Sequence, residues 1–377
     1  MKFNVPSKLL YNHVATVGKV ISSKNAMSIL NNFLFTLKDN YLSITASDIE
    51  NTLTARIEVS DAEGEGSFCA DAKKIIDLLK ELPDPGISFI VNDTNMSIKI
   101  NSLNGDFNLI GANGSEYPQT IEAIGAAESL TFTTSSTQIL SGLENTLFAA
   151  GTDEIWPQMM GVFWDIKPEN IVFVATDSRK LVKYQDATEA PGIAGSFILP
   201  SKPAAILKAM LSRVDDKVTI TFDGKSGTFE TPECSLNCRF IKGTFPDYTR
   251  VIPQNNPYVL SVDRLTFLNA LRRVAVFVEQ GHGLVKFQIE PNLLTLKAQD
   301  NTLCTSGIEK ISCSFNGGNM VIGFGATFLQ EIFATLQSEE VELRLSDPSR
   351  PGLFVPSENP EGTDLIMLLM PMTVGDF

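Results

Sequence analysis

Four groups of residues are of types that could bind a ligand or catalyse a reaction. They are the tripeptide Gly224-Lys225-Ser226, the pair Cys234 and Cys238, the histidines His13 and His282, and three aspartates that end Ala-x-Asp patterns, Asp48, Asp177 and Asp300. Each group has a chemical interpretation and a structural one, and the spacing of the residues decides between them.

The lysine and cysteine motifs lack the partners that their chemistry needs. A phosphate-binding loop ending in Gly224-Lys225-Ser226 would have another glycine five residues before Gly224, where this chain has Thr219. A hairpin turn is the better interpretation of this tripeptide. Cys234 and Cys238 have no second Cys or His pair nearby to complete a zinc site. Alternation along a β-strand explains their spacing.

Histidine and aspartate chemistry is also restricted. Only two histidines exist in 377 residues, which removes most histidine-based metal sites and most Ser-His-Asp triads. His13 is expected on the exposed flank of a helix. The three aspartates stand where strands enter turns, and Asp at such positions accepts hydrogen bonds from its own turn. The sequence therefore predicts no catalytic centre, no cofactor and no metal site.

A long internal repeat organises the elements around these positions. Ala46, Ala175 and Ala298 begin the three Ala-x-Asp patterns and are 129 and 123 residues apart. Apolar residues at helical spacing recur in phase with them, with a Ser or Asp as the expected N-cap of the early helix in each repeat. The predicted helices span residues 7–20, 72–82, 135–149, 201–214, 263–278 and 326–337. Short alternating strands fill the rest, so the sequence predicts an α+β fold with three similar domains.

Charge is distributed unevenly between helices and strands. The chain carries 30 Lys and Arg against 44 Asp and Glu, a net charge of −14, which argues against nucleic acid coating its whole surface. The six predicted helices sum to +6, so the remainder sums to −20. One interpretation is that lysines simply favour helix surfaces. The other is a shared basic helical face that meets phosphates without reading bases.

Composition limits the class and location of the protein. Hydrophobic residues make up 43% and charged residues 20% of the chain, as in globular proteins. Five cysteines without framework spacing indicate a reducing cytoplasm. We expect no signal peptide and no membrane segment, since the N-terminus lacks an apolar stretch and no apolar run reaches the length of a spanning helix.

Three unusual strings carry a resemblance that covers the whole chain. They are Ala175-Thr176-Asp177-Ser178-Arg179-Lys180-Leu181, residues 243–253 (GTFPDYTRVIP) and Leu369-Met370-Pro371-Met372. With them, the chain resembles the bacterial β sliding clamps, the processivity subunits of the replicative DNA polymerase. The resemblance implies domains at residues 1–122, 127–251 and 252–377, each with two helices packed on antiparallel sheets, and a ring closed by two chains.

The resemblance also implies function and partners. The ring would encircle duplex DNA without sequence preference and tether the replicative polymerase, with no catalysis of its own. It would dock the clamp loader and other replication and repair proteins through a pocket for short peptides, in the cytoplasm and with the nucleoid. Carried over residue by residue, the pocket comprises Met159, Thr176, Ser178, Arg179, Lys180, Leu181, Pro246, Arg250, Val251, Phe328, Leu368, Leu369, Met370, Pro371 and Met372.

This chain departs from the family pattern beside that pocket. The common string is Ala-Thr-Asp-Gly-His-Arg-Leu, whereas this chain has Ser178, Arg179 and Lys180. His282 is a candidate to supply an imidazole from another loop. The five residues after Met372 form an acidic tail that is expected to alter peptide preference.

The DNA-facing and dimer residues follow from the same resemblance. Lys24 and Lys202 match basic DNA-facing positions, and the helices 135–149 and 326–337 carry no Lys or Arg, so DNA should be held loosely. The dimer seam would join Phe107 and Leu109 of one chain to Val276 and Phe277 of the other. Two other functions stay open at this point: a β-rich scaffold without a DNA role, and an enzyme with its site in an inter-domain cleft.

Overall fold

The structure is a computed structural model that describes residues 1–22, 24–25, 27–84, 86–118, 129–279 and 283–375. Short helices pack on antiparallel sheets, which confirms the α+β class. The α-helices in this part of the chain are α1 (Ser7–Val17), α2 (Ala72–Glu81), α3 (Ser136–Thr146), α4 (Ser201–Leu211), α5 (Tyr248–Val251), α6 (Arg264–Val274) and α7 (Ala326–Thr335).

The strands are short and most of them alternate between buried and exposed side chains. In chain order they are β1 (Lys2–Val5), β2 (Asn32–Lys38), β3 (Tyr41–Ser47), β4 (Asn51–Glu58), β5 (Ser60–Glu63), β6 (Gly66–Asp71), β7 (Ile87–Val91), β8 (Ser97–Ser102), β9 (Gly105–Ile110), β10 (Ala112–Asn113), β11 (Leu130–Ser135), β12 (Gly161–Lys167), β13 (Asn170–Thr176), β14 (Lys180–Asp186), β15 (Gly195–Pro200), β16 (Lys217–Phe222), β17 (Ser226–Glu230), β18 (Cys234–Arg239), β19 (Tyr258–Asp263), β20 (Leu284–Glu290), β21 (Leu293–Asp300), β22 (Thr305–Ser312), β23 (Ser314–Phe315), β24 (Met320–Gly325), β25 (Glu340–Leu345), β26 (Gly352–Pro356) and β27 (Thr363–Leu369).

The chain divides into two compact units. The first unit contains Met1–Thr137 and Lys202–Phe240, and the second contains Gln138–Ser201 and Ile241–Phe377. Two of the three boundaries fall within the first turns of α3 and α4, and the third lies just after β18. Each unit therefore combines segments that are distant in sequence.

Each unit is built on one nine-stranded antiparallel sheet and one smaller sheet. In the first unit the strand order is β10-β6-β2-β3-β4-β18-β17-β16-β11, with a five-stranded sheet β5-β1-β7-β8-β9. In the second unit the order is β15-β12-β13-β14-β27-β26-β25-β19-β23, with a four-stranded sheet β22-β21-β20-β24. Beginning at β6 and at β15, eight successive positions of the two large sheets correspond one to one. The internal repeat seen in the sequence therefore has a structural counterpart.

The core of each unit lies between its two sheets and is rich in phenylalanine. In the first unit the Phe3 and Phe89 rings stack with centroids 5.0 Å apart, and Phe35 of the large sheet lies 6.4 Å from Phe89 of the small one. In the second unit Phe324 of β24 meets Phe354 of β26 at 5.6 Å. Burying each such side chain contributes roughly 1.5–3 kcal/mol, because its apolar surface leaves water.

All six helices predicted from periodicity are present, with the early helix of each repeat ending in a short 3-10 turn. The expected caps are only partly correct. Asp263 caps α6 by accepting a hydrogen bond from Thr266 N at 2.7 Å. Ser7 does not cap α1, because Pro6 occupies that position and the Ser7 hydroxyl instead donates to Pro83 O.

Two sequence interpretations are confirmed and one is corrected. Gly224 lies in the β16–β17 hairpin turn with φ of +80°, and the Cys234–Cys238 pair lies on β18. His13 is not an ordinary surface residue: its side chain is 11% exposed, its Nε2 is 3.7 Å from Glu233, and burial lowers its pKa.

No helix in the described ranges combines the length and the hydropathy that crossing a membrane requires.

Candidate functional site

A groove of about 620 Å³ opens in the second unit where the chain leaves β27. Its lining is mainly apolar and backbone, with one guanidinium. The lining residues are Arg179, Gly283, Gly325, Ala326, Thr327, Phe328, Met370, Pro371 and Met372. We call this cavity the C-terminal groove.

The C-terminal groove exists because the chain passes from one sheet to the other within three residues. The last residue of β27, Leu369, is paired with Lys180 of β14, and Met370 N donates to Arg179 O at 2.8 Å. Pro371 has no amide hydrogen to donate. Met372 N then donates to Gly323 O of β24, in the four-stranded sheet, at 2.8 Å. The two methionines are thereby fixed at the crossing, with Met370 exposed.

A glycine on β24 allows the C-terminal segment to approach this closely. A Cβ atom placed on Gly323 would lie 2.8 Å from a Val374 methyl and 3.1 Å from Met372 O. The nearest atom, a Leu284 methyl, would be 2.6 Å away, so a side chain at Gly323 would have to displace both Leu284 and the C-terminal segment. Beyond Met372, residues Thr373–Gly375 form one wall of a further cavity of about 660 Å³, which shares Pro371 and Met372 with the C-terminal groove.

The opposite wall is a turn closed by an aspartate. Asp177 accepts hydrogen bonds from Arg179 N at 2.9 Å and Lys180 N at 2.8 Å, as expected for an aspartate at a strand end. Ser178 has φ of +73°, in the left-handed region where the family pattern has glycine. The turn leaves the Arg179 side chain exposed, and this guanidinium has no ion-pair partner among the described residues.

The charged end of the Lys180 side chain is buried and does not line the groove. Its side chain is 5% exposed, and Nζ is 2.5 Å from Glu331 Oε2 and 3.9 Å from Asp177 Oδ2. The ammonium also lies 4.7 Å from the ring centroid of Phe328 and 5.4 Å from that of Phe148. An ammonium over an aromatic face is attracted to the ring quadrupole. The Lys180 ammonium therefore helps to hold the Phe328 ring in position.

A smaller recess of about 250 Å³ adjoins the groove and shares Arg179 and Phe328 with it. Its other lining residues are Gly151, Thr152, Asp153, Trp156, Met159, Asp177 and Ser178. We call this cavity the Trp156 recess.

The structure distributes the predicted pocket residues among distinct places. Arg179, Phe328, Met370, Pro371 and Met372 meet at the C-terminal groove, and Met159 and Ser178 line the Trp156 recess. Four others are buried in the sheet beneath: Thr176, Leu181, Leu368 and Leu369.

The remaining predicted pocket residues lie on or just before α5. Pro246, Arg250 and Val251 are not among the lining residues of these cavities, and Arg250 pairs with Asp247 at 2.9 Å. The adjacent Tyr248 packs in the same core cluster as Leu181 and Leu368. His282 lies outside the described residues.

Sequence reasoning missed several residues that shape the site. The motifs and the resemblance do not include Trp156 and Asp153, although a tryptophan followed by proline in a polar loop indicates an exposed aromatic with a restricted backbone. Glu331 is also missed, because in the sequence it is only one charge on a predicted helix. Its role depends on Lys180, 151 residues earlier, so no local pattern could reveal it.

The predicted DNA-facing lysines differ in their surroundings. Lys24 is exposed. The Lys202 ammonium donates to Asp48 Oδ2 at 2.5 Å and to Val20 O at 2.7 Å, so its charge is already paired within the first unit. Within the described ranges, no group of three or more His, Cys, Asp or Glu side chains is arranged to hold a metal ion.

Three family models together match nearly the whole chain. The N-terminal, central and C-terminal domain models of the DNA polymerase III beta subunit match residues 1–121, 134–247 and 249–372. Each boundary between models falls close to a boundary between the sequence repeats.

Relatives and solved structures agree with these models over their full lengths. The chain is 25% identical over 369 residues to the beta sliding clamp of Pseudomonas aeruginosa, covering 97% of this chain and 99% of the relative. The DNA polymerase III beta subunit structure from Thermotoga maritima matches with a TM-score of 0.90 at 25% identity, covering 99% of this chain and 100% of that one.

A sliding clamp from Bartonella birtlesii, solved bound to griselimycin, matches with a TM-score of 0.91 at 25% identity, again over 99% and 100% of the two chains. The chain therefore belongs to the bacterial DNA polymerase III beta subunit family, the sliding clamps that act as processivity factors for DNA polymerase.

Proposed function

We propose that this chain works as a homodimeric ring around duplex DNA and that the C-terminal groove docks short peptides of its partners. The observation that carries the docking site is the apolar crossing at Met370, Pro371 and Met372 beside Phe328. Methionine side chains adapt to different hydrophobic anchors, which suits a site used by several partners. The partners are the replicative polymerase, the clamp loader and other replication and repair proteins.

The guanidinium of Arg179, which has no ion-pair partner among the described residues, would fix the orientation of a bound peptide. An acidic residue near the anchors of a peptide would find a partner there at little desolvation cost, because Arg179 is exposed. The buried leucines Leu181, Leu368 and Leu369 pack beneath the groove and stabilise it, and they would not contact the peptide. Pro246, Arg250 and Val251, on or just before α5, would form a second contact region for longer peptides.

The proposed dimer pairs the free edges of the smaller sheets from two copies. In the first unit β9 is an edge strand that carries Phe107 and Leu109, with Ile110 87% exposed at its end. In the second unit β22 is an edge strand, and Val276 next to it is 77% exposed. An exposed apolar edge strand is a template for pairing with another chain. A head-to-tail contact that closes after two copies satisfies both edges.

The proposed ring has three domains per chain, at residues 1–122, 127–251 and 252–377, and no catalytic activity of its own. It would hold DNA loosely by topology, in the cytoplasm with the nucleoid. The sparse basic residues support this view: among the candidates for DNA contact, Lys24 is exposed and the charge of Lys202 is paired with Asp48.

A direct test uses a fluorescent peptide from the C-terminus of the replicative polymerase, titrated with the full chain and followed by anisotropy. We expect saturable binding and displacement by griselimycin. A parallel measurement of molecular mass should give twice 41.2 kDa. Absence of saturable peptide binding would overturn the docking site, and a strictly monomeric mass would overturn the ring.

A further inference from the structure

The Trp156 recess has a chemistry different from that of the C-terminal groove. Two carboxylates, Asp153 and Asp177, line it together with the indole of Trp156, while Met159 and Phe328 supply apolar contact. Of the two tryptophans in the chain, Trp156 is 54% exposed and Trp164 is fully buried. An exposed indole beside carboxylates is an arrangement that favours a cation.

The loop that carries Trp156 is held in place before any ligand arrives. Gly151 N donates to Met159 O at 2.8 Å and closes the base of the loop, and Ile155 N donates to Asp153 Oδ1 at 2.9 Å. Pro157 follows Trp156 directly and restricts its backbone. A fixed aromatic loses little conformational freedom when it binds, which favours affinity.

Neighbouring cations neutralise the two carboxylates only in part. Arg179 lines the same recess but forms no ion pair with Asp153 or Asp177. The nearest ammonium, Lys180 Nζ, is 3.9 Å from Asp177 but only 2.5 Å from Glu331, which is its main ion-pair partner. In the part of the chain that the structure describes, the Asp153 carboxylate accepts only the hydrogen bond from Ile155 N within its own turn. The recess therefore presents net negative charge.

The recess is continuous with the C-terminal groove, since both are lined by Arg179 and Phe328. We propose that the Trp156 recess reads a basic side chain, lysine or arginine, that flanks the hydrophobic anchors of a docking peptide. The aliphatic stem would lie along Met159 and Trp156, and the charged end would meet Asp153 and Asp177. This inference rests on the proposed peptide docking and adds a specificity element to it.

The test compares peptides that differ in one residue. A peptide with two hydrophobic anchors is made with norleucine, lysine or glutamate at each of the three positions on either side of the anchors, and each is titrated by anisotropy at low and high salt. In one register we expect lysine to bind about five- to tenfold more tightly than norleucine, from combined cation–π and ion-pair contacts at a partly exposed site. Glutamate should bind more weakly, and the differences should shrink at high salt.

Matched variants assign the effect to the recess. Trp156→Ala and Asp153→Asn should each remove most of the preference for lysine while leaving the norleucine peptide bound, and Asn at 153 can still accept the hydrogen bond of Ile155 N. Glu154→Gln removes the same charge one residue away, outside the recess lining. It should leave the preference largely intact.

Tryptophan fluorescence gives an independent readout. Iodide should quench Trp156 and not the buried Trp164, and the lysine peptide should protect Trp156. If the norleucine peptide binds but no register prefers lysine, or if Glu154→Gln abolishes the preference as fully as Asp153→Asn, the inference is wrong while the docking groove stands. If no peptide of the series binds, the proposed docking function itself fails.

Discussion

The Asp48 turn of the first unit and the Asp177 turn of the second are built alike. Each follows the corresponding strand, β3 or β13, of the large sheet. Asp48 accepts from Glu50 N at 3.1 Å and Asn51 N at 2.7 Å, just as Asp177 accepts from Arg179 N and Lys180 N. The residue after each aspartate has positive φ, +81° at Ile49 and +73° at Ser178.

The neighbouring strand continues the correspondence. In the first unit Arg239 N donates to Glu50 O at 3.1 Å, and in the second Met370 N donates to Arg179 O at 2.8 Å. Glu50 therefore corresponds to Arg179, and Arg239 corresponds to Met370. In the first unit a helix residue reaches the turn, Lys202, the second residue of α4; in the second unit the helix beside the turn is α7, whose second residue is Thr327.

The side chains at these equivalent positions have opposite consequences. In the first unit Glu50 pairs with Arg239 at 3.5 Å, and Lys202 reaches Asp48. In the second unit Thr327 makes no hydrogen bond to the turn within the described ranges, and Arg179, which has no ion-pair partner there, lines the groove together with the apolar Met370. The same backbone thus gives a site closed by its own charges in one unit and an open groove in the other. If the groove docks peptides as proposed, docking depends on a few side chains rather than on the fold.

The largest expected effect comes from removing the crossing segment. Ending the chain at Leu369 should abolish detectable peptide binding, a loss of about 100-fold or more, because two anchors each lose a burial of roughly 1.5–3 kcal/mol. Anisotropy measures the affinity, and solution mass should show an unchanged dimer. A chain ending at Met372 is the matched control and should keep most of the affinity. Equal loss in both truncations would place the determinant in the tail instead.

The next effect concerns the buried ammonium of Lys180. Glu331→Gln leaves this charge without its nearest counter-ion, which should destabilise the second unit by about 2 kcal/mol, less than for a fully buried pair since Glu331 is partly exposed. Chemical denaturation of the full chain measures the loss. Glu309→Gln breaks the exposed pair with Arg273 at 2.7 Å and should change stability much less. Equal effects would show that Lys180 is not effectively desolvated.

A charge swap should convert the second site into a copy of the first. The double variant Arg179→Glu with Met370→Arg recreates the Glu50–Arg239 pairing across the groove. Peptide affinity should fall about tenfold, because an apolar wall is lost and the remaining charges pair with each other. Stability should hardly change, since exposed ion pairs contribute little.

The reciprocal variant serves as the control for the swap. Glu50→Arg with Arg239→Met places the second unit's residues in the first unit. It should gain no peptide binding, because Lys202 still covers the Asp48 turn. Peptide affinity is measured by anisotropy for both double variants. If Arg179→Glu with Met370→Arg binds peptide as tightly as the unmodified chain, pairing of charges does not close the site.

The sequence predicts the helices and the two turns far better than it predicts which of the two sites is open. Periodicity locates the six main helices, and the Ala-x-Asp patterns locate both turns, because these are local properties of the chain. The partner of Lys180 and the crossing at Pro371 depend on β14 pairing with β27, about 180 residues apart. Pairing at that distance leaves no local signature, so the family resemblance predicts a set of pocket residues without showing which of them are buried.

The smallest expected effect concerns backbone strain at the two turns. Ile49 is β-branched, and such residues are rare at positive φ because their side chains crowd the backbone there. Asparagine adopts this conformation readily and adds no glycine-like freedom to the unfolded chain. Since Ile49 is 46% exposed, its replacement sacrifices little buried area. Ile49→Asn should therefore stabilise the first unit by about 1 kcal/mol, a rise of about 2–4 °C in its melting temperature.

Ser178→Asn makes the same change in the second unit and should give a smaller rise, because serine is not β-branched. Differential scanning calorimetry of the full chain compares the two variants, and Ile49→Val keeps the β-branch and should give no gain. If Ser178→Asn stabilises as much as Ile49→Asn, the strain at these turns belongs to the backbone alone. In that case the side-chain difference between the two units affects only whether the site is open, and not the stability of the turn that frames it.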